Sequence, residues 1–211
     1  MTPHELFKRL KSHYGSQNWW PAETTYEVIV GAVLTQNTNW NNVEKAIENL
    51  KKENMLFPEK ILEKSPEYLK KLIKPSGFYN AKASTLRRLT AFVYNNNIKN
   101  TPTKKIREKL IKIKGVGPET ADSILLYAYK RPVFVIDAYT KRLVRRLGIT
   151  DKEKYGELQH HFQSSLPEDT QLYAEFHALI VEHSKKICRK SPQCDRCFIK
   201  NDCPESFSQE N

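Results

Sequence analysis

Four cysteines, Cys188, Cys194, Cys197 and Cys203, fall within sixteen residues near the end of a 211-residue chain. Thiolates so closely spaced can converge only on a compact centre. Four of them satisfy either tetrahedral zinc or a [4Fe–4S] cluster. A four-cysteine zinc site usually joins two C-x-x-C hairpins across a longer spacer. Here one C-x-x-C, Cys194 to Cys197, is flanked by two five-residue arms. Arg189, Lys190, Arg196 and Lys200 lie between the cysteines and make the loop basic, which suits phosphate contacts.

A second stretch with chemical potential is Lys112-Ile113-Lys114-Gly115-Val116-Gly117-Pro118. Ile106, Leu110 and Ile113 precede it at helical spacing, and Ala121, Ile124, Leu125 and Ala128 follow it in the same way. The two glycines permit positive φ and keep side-chain bulk out of the turn. Pro118 suits the first position of the second helix. Backbone amides of Gly115, Val116 and Gly117 beside a helix start form a natural phosphate site, with Thr120 in the first turn. Lys112 and Lys114 add positive charge. Without further support the turn reads equally as an ordinary αα-hairpin.

The charge balance points the same way. Formal net charge is +11 and the isoelectric point about 9.4, which favours a polyanionic partner such as nucleic acid. No run of about eighteen apolar residues exists, so no transmembrane helix is expected. The polar, amphipathic start MTPHELFKRLKSHYG does not read as a signal peptide, and a cytoplasmic, nucleoid-associated protein is expected. A disulfide between the clustered cysteines is disfavoured there.

The elements that must carry these groups read as helices throughout. Residues 3–14 form a short helix broken at Gly15-Ser16. The segment Asn18-Trp19-Trp20-Pro21 is extended, because Pro21 pushes Trp20 out of the α region. Adjacent residues in extended chain face opposite ways, so the two rings should not share one slot. Tyr26 to about Gln36 is apolar nearly all round and should be buried. It runs into the amide-rich Gln36-Asn37-Thr38-Asn39-Trp40. Further helices are expected at 43–53, from Phe57-Pro58, from Ser65-Pro66, at 82–94, and through the second hairpin helix to about Tyr129. Val133–Ile136 is a short apolar run, followed by helices near 140–147, 157–164 and 172–186. No alternating strand pattern is present, so the fold should be all-α. His160, His161, His177 and His183 read as surface or packing residues.

The hairpin, with the following Pro132-Val133-Phe134-Val135-Ile136-Asp137-Ala138-Tyr139-Thr140-Lys141-Arg142-Leu143, resembles the endonuclease III-like helix-hairpin-helix (HhH-GPD) DNA glycosylases. So does the cysteine loop, although its first gap is one residue shorter than the family's usual spacing. The resemblance covers about residues 20–203. It implies a two-domain fold: a six-helix barrel domain at 24–131, and a second domain from 1–23 and 132–211 holding the cluster loop at 188–203. It implies that Asp137 is the catalytic carboxylate, that Cys188, Cys194, Cys197 and Cys203 hold [4Fe–4S] rather than zinc, and that the chain is a monomer acting on damaged double-stranded DNA. Asn37, with Gln36 second, would fill the hole left by an extruded base, and Arg142 would join the DNA contacts. Lyase members carry a lysine two residues after the second hairpin glycine, where this chain has Glu119.

Trp19-Trp20-Pro21, Leu34-Thr35-Gln36-Asn37-Thr38, Pro75-Ser76-Gly77-Phe78-Tyr79-Asn80 and Gly117-Pro118-Glu119-Thr120-Ala121-Asp122 resemble the 3-methyladenine branch most. Trp19, Trp20 and Trp40 would then form the base pocket. Electron-rich rings attract a cationic base by roughly 0.5–2 kcal/mol each, and cationic alkylpurines leave with little acid catalysis. The resulting expectation is a monofunctional glycosylase of base excision repair. Competing readings are a bifunctional glycosylase/lyase for oxidised pyrimidines, a non-catalytic damage-binding module, and a zinc protein that binds RNA.

Overall fold

The computed structural model describes residues 1–17 and 19–207; Asn18 lies outside them. Every regular element among the described residues is helical. None of these helices is long and apolar enough to cross a membrane. The chain divides into two compact units. One is discontinuous, Met1–Trp19 with Pro132–Asn211; the other is the continuous central stretch Trp20–Arg131.

Helix α1 (Pro3–Tyr14) belongs to the discontinuous unit. Thr2 and Glu5 close a capping box at its start, and Gly15 ends it at φ 70°. The central unit holds α2 (Thr25–Leu34), α3 (Trp40–Lys52), α4 (Pro58–Glu63), α5 (Pro66–Ile73), α6 (Tyr79–Asn95), α7 (Thr103–Ile111) and α8 (Pro118–Ser123). The chain then returns to the first unit with α9 (Ala138–Arg146), α10 (Tyr155–Ser164), α11 (Thr170–Lys186) and α12 (Pro204–Phe207).

In the central unit α2 is the pillar. Tyr26 through Leu34 are all buried, and α3, α6, α8 and the segment after α8 pack around it. In the discontinuous unit the core is aromatic. Phe134 meets Phe162 at 4.6 Å, Phe176 at 5.5 Å and Tyr173 at 5.6 Å between ring centres. The Val133–Ile136 run is therefore buried extended chain and not a strand. Gln163 Oε1 accepts from the Phe134 amide at 3.0 Å, and Gln159 Nε2 donates to its carbonyl at 2.7 Å. Side-chain amides thus replace the ladder a strand would need.

Two expected helix limits are corrected. The helix expected at 82–94 begins three residues earlier, at Tyr79, because Gly77 and Phe78 turn the chain at φ 69° and 46°. The second hairpin helix does not run uniformly to Tyr129: after Ser123 it widens into a π-helical turn, Ile124–Ala128. Such turns re-aim the side chains they carry.

Candidate active site and cysteine centre

Asp137 stands where the buried extended run meets α9, with φ −95° and ψ −179°, and it is the N-cap of that helix. Its Oδ1 accepts from the Thr140 amide at 2.7 Å and the Thr140 hydroxyl at 2.8 Å. Its Oδ2 lies 3.5 Å from His177 Nε2, with the carboxyl side chain 13% exposed. One oxygen caps the helix and the other faces His177. Burial would raise the carboxyl pKa, but hydrogen bonding and charge from His177 and the two Thr140 bonds outweigh it and hold the group below its ordinary value. His177 lies on α11, 6% exposed, where the sequence suggested a surface or packing residue. Its apolar neighbours Phe176, Ala178 and Leu179 hid it.

The hairpin turn is tighter than its two glycines implied. Only Gly115 takes positive φ, at 95°, and a Cβ there would meet Thr85 Oγ1 at 2.0 Å. Gly117 is the ordinary extended N-cap of α8, and a Cβ there would meet nothing within 4 Å. The Val116 amide donates to Ile113 O at 2.9 Å and the side chain is buried, which removes Val116 from phosphate contact. Thr120 is buried as well, and its hydroxyl accepts from Gln36 Nε2 at 2.9 Å. That amide also donates to Gly115 O at 3.0 Å. Gln36 therefore fastens the end of α2 to the hairpin, which leaves Asn37, exposed and left-handed at φ 52°, as the outward amide. Lys112, Lys114, Gly115 and Gly117 are exposed, as is Glu119 in the first turn of α8.

Trp20 and Trp40 share an open pocket of about 200 Å³, and Trp19 does not join them. Their rings meet edge to face at 5.6 Å, and Tyr127, carried on the π-helical turn, packs against Trp20 at 4.9 Å. Gly31 lies beneath Trp20: a Cβ there would come within 3.2 Å of the indole. The lining carries Glu27, Glu44 and Glu48 against one lysine, Lys51. Glu44 accepts from Trp40 Nε1 at 2.9 Å, and Lys51 is tied to Glu23 at 2.7 Å and Glu27 at 3.0 Å. Trp19 belongs to the discontinuous unit, where Lys185 Nζ sits 5.2 Å from its ring centre. The opposite facing of adjacent extended residues accounts for this separation.

Two further features of the central unit lie in the Pro75–Asn80 motif or just beyond it, where the sequence assigned no role to a side chain. Lys82, 2% exposed, donates to Leu34 O at 2.8 Å and Ser76 O at 2.6 Å, and burial pushes its pKa down to about 8. It joins the two turns that carry Asn37 and Phe78. Phe78 is 70% exposed despite its left-handed backbone. A bulky residue in that conformation is strained, and such strain clusters at functional sites. A glycine followed by an aromatic residue ahead of a helix was the signal available in the sequence.

All four cysteines are free thiols and line one cavity beneath α9 and α11. No three His, Cys, Asp or Glu among the described residues close to single-ion distance. The four thiols nevertheless line a single cavity, a donor set that suits a sulfur-ligated group. Burial pushes the Cys197 and Cys203 thiols up, and the neighbouring cysteines add to this, so four thiolates need a cationic centre between them. Arg142 faces inward to this loop. Its Nε donates to Cys188 O at 2.9 Å and its Nη2 to Ser184 O at 3.3 Å, so the guanidinium expected on DNA instead braces the cysteine loop.

Residues 30–168 match the model of the HhH-GPD superfamily base excision DNA repair proteins. A Methanocaldococcus jannaschii protein provisionally named a DNA repair glycosylase is 54% identical over 208 residues, covering 95% of this chain and 94% of its own. Endonuclease III of Thermotoga maritima is 32% identical over 179 residues, 84% of this chain and 82% of its own. The crystal structure of H. pylori 3-methyladenine DNA glycosylase bound to 1,N6-ethenoadenine aligns with a TM-score of 0.78 at 34% identity, over 88% of this chain and 98% of that one. The family resemblance and the all-α fold read from the sequence are borne out. The chain belongs to the HhH-GPD superfamily of base excision DNA repair proteins.

Proposed function

We propose that this DNA glycosylase is monofunctional and excises cationic alkylated purines, such as 3-methyladenine, from double-stranded DNA after flipping them from the stack. The observation that carries this reading is the acidic aromatic pocket. Trp20 and Trp40 offer π faces and edges, Tyr127 backs Trp20 from the core, and the lining carboxylates outnumber the lysine three to one. Such a surface attracts a cation and gains little from a neutral base.

The chemistry asked of the chain is modest. The bond between the purine nitrogen and C1′ breaks, its electron pair leaves with the base, and the base departs neutral. Positive charge passes to the sugar, where the Asp137 carboxylate stabilises it. Water adds to C1′ and gives its proton to Asp137 Oδ2. His177 and Thr140 keep the carboxylate ionised for this step. Glu119 at the lyase position offers no amine for a Schiff base. Lys112, Lys114 and the turn at Gly115 and Gly117 would hold backbone phosphate. Phe78 is suited to wedge between base steps, as exposed apolar side chains do in bent duplexes, with Asn37 filling the vacated space.

Cys188, Cys194, Cys197 and Cys203 fit a [4Fe–4S] cluster. When bound, it would supply a rigid staple for the basic loop and a one-electron centre. The test of the whole reading is base release from methylated duplex DNA, run with wild type and Asp137→Asn. Alkylpurine release lost in the variant, with strand breaks only after alkali, supports it. Covalent trapping on abasic DNA by borohydride would overturn the monofunctional assignment, and no alkylpurine release would overturn the substrate class.

A further inference from the structure

Two buried side chains of the discontinuous unit reach cysteine sulfurs from outside the ring of thiols. Arg146, 7% exposed, places Nη1 3.3 Å from Cys188 Sγ. His183, 1% exposed, places Nε2 3.8 Å from Cys197 Sγ, and its Nδ1 lies 2.9 Å from the Tyr14 hydroxyl. Phe198 packs edge-on against both rings, 5.9 Å from Tyr14 and 5.6 Å from His183, and holds the pair in place.

Ligation fixes the direction of these bonds, a condition that rests on the cluster reading above. A sulfur bonded to iron carries no proton and can only accept. The nitrogen facing it, Nε2, must then carry the proton. Nδ1 of the neutral ring must accept, and Tyr14 must donate. Tyr14, at the end of α1, thereby selects the His183 tautomer. Without that hydroxyl the ring is free to turn a lone pair towards the sulfur.

We propose that Tyr14 and His183 form a hydrogen-bond relay that sets the reduction potential of the cluster through Cys197, with Tyr14 as the positioning residue. Hydrogen bonds to ligand sulfurs stabilise the more negative, reduced state and so raise the potential. Arg146 supplies the companion donor at Cys188, which makes the pull on the cluster two-sided. The Tyr14 hydroxyl is the part of this shell that can be removed without taking away a buried charge.

The experiment is spectroelectrochemical titration of the intact protein, wild type against Tyr14→Phe, followed by visible absorption. The expected result is a cluster spectrum in both, with a more negative midpoint in the variant, enough to change the reduced-to-oxidised ratio at one applied potential by about threefold or more. Equal midpoints with intact spectra overturn the relay and leave the cluster reading standing. A wild-type protein with no iron–sulfur spectrum overturns both. If Tyr14→Phe does not hold its cluster, pulsed EPR of wild type labelled with ¹⁵N-histidine decides instead. A nitrogen coupling at the paramagnetic cluster supports the relay, and its absence overturns it.

Discussion

Lys82 offers a prediction whose size follows from its environment. The amine is 2% exposed, with the Leu34 and Ser76 carbonyls as its hydrogen-bond acceptors, and burial lowers its pKa from 10.5 to about 8. In the folded chain the proton leaves near pH 8, in the unfolded chain near 10.5. Between these values the unfolded state binds more protons, so stability rises with pH across the window. At 1.36 kcal/mol per pH unit the charged form costs the folded state about 3 kcal/mol below pH 8, and this penalty is lifted by pH 10.5. Lys82→Met removes both the charge and the donor. Near neutral pH the relief of desolvation opposes the loss of two carbonyl partners, each worth about 1–3 kcal/mol, so the variant should differ little from wild type. Near pH 10.5 only the lost hydrogen bonds remain, and wild type should be the more stable by up to about 3 kcal/mol beyond its neutral-pH margin. Urea unfolding of both proteins across this range gives the difference directly, because the other titrating groups cancel. A margin that stays constant from pH 7 to 10.5 refutes the argument. The same variant should weaken binding to lesion DNA, since Lys82 links the turn before Asn37 to the turn before Phe78.

Asp137→Asn should lower single-turnover base release by about 10²–10³-fold with little loss of stability, because the amide oxygen can still cap α9; a fall of less than about tenfold would remove Asp137 from the chemistry. His177→Ala removes the hydrogen bond and charge that hold Asp137 down against burial, so the acid limb of the pH–rate profile should move to higher pH. An unmoved limb would mean that His177 only packs. Gly115→Ala should destabilise the fold by about 3 kcal/mol or more, read as a drop in melting temperature, because φ is 95° and the new Cβ would meet Thr85 Oγ1 at 2.0 Å. Phe78→Gly should keep or slightly raise thermal stability while lowering base release from duplex DNA more than from single strands. Equal losses on the two substrates would rule out a wedge.

What the sequence disclosed was what is local in it. The hairpin, the step from an apolar run to Asp137, and the four cysteines are each contiguous, so spacing alone reveals them. His177, Tyr127 and Lys82 gain their roles from partners far away in the chain. His177 sits on a helix whose neighbours are apolar, and nothing in its own window distinguishes a buried histidine facing a carboxylate from one that packs. Tyr127 points at Trp20 from a π-helical turn, and no residue pattern announced that shift of register. Lys82 looks like any lysine early in a helix until two carbonyl ends arrive at its tip. The misreadings follow the same rule. Arg142 and Thr120 carry polar side chains suited to DNA, and Val116 a backbone amide in the turn, but contacts within the fold already use them.

The discontinuity of the first unit also has a consequence for synthesis. The central unit is one unbroken stretch, Trp20–Arg131, and can bury its core as soon as it has left the ribosome. Helix α1 emerges earlier but has to wait. Its Leu6 and Leu10 are fully buried in the finished protein, Phe7 packs on Phe176, and Lys11 pairs with Glu175, so its partners lie on α11. For most of translation this short amphipathic helix is a loose end with an uncovered apolar stripe. The hairpin of the central unit is therefore shaped well before the Asp137 carboxylate acquires His177 and before the last cysteine is made. Late assembly of the discontinuous unit thus leaves Asp137 and the cysteine loop among the last parts of the chain to take up their final surroundings.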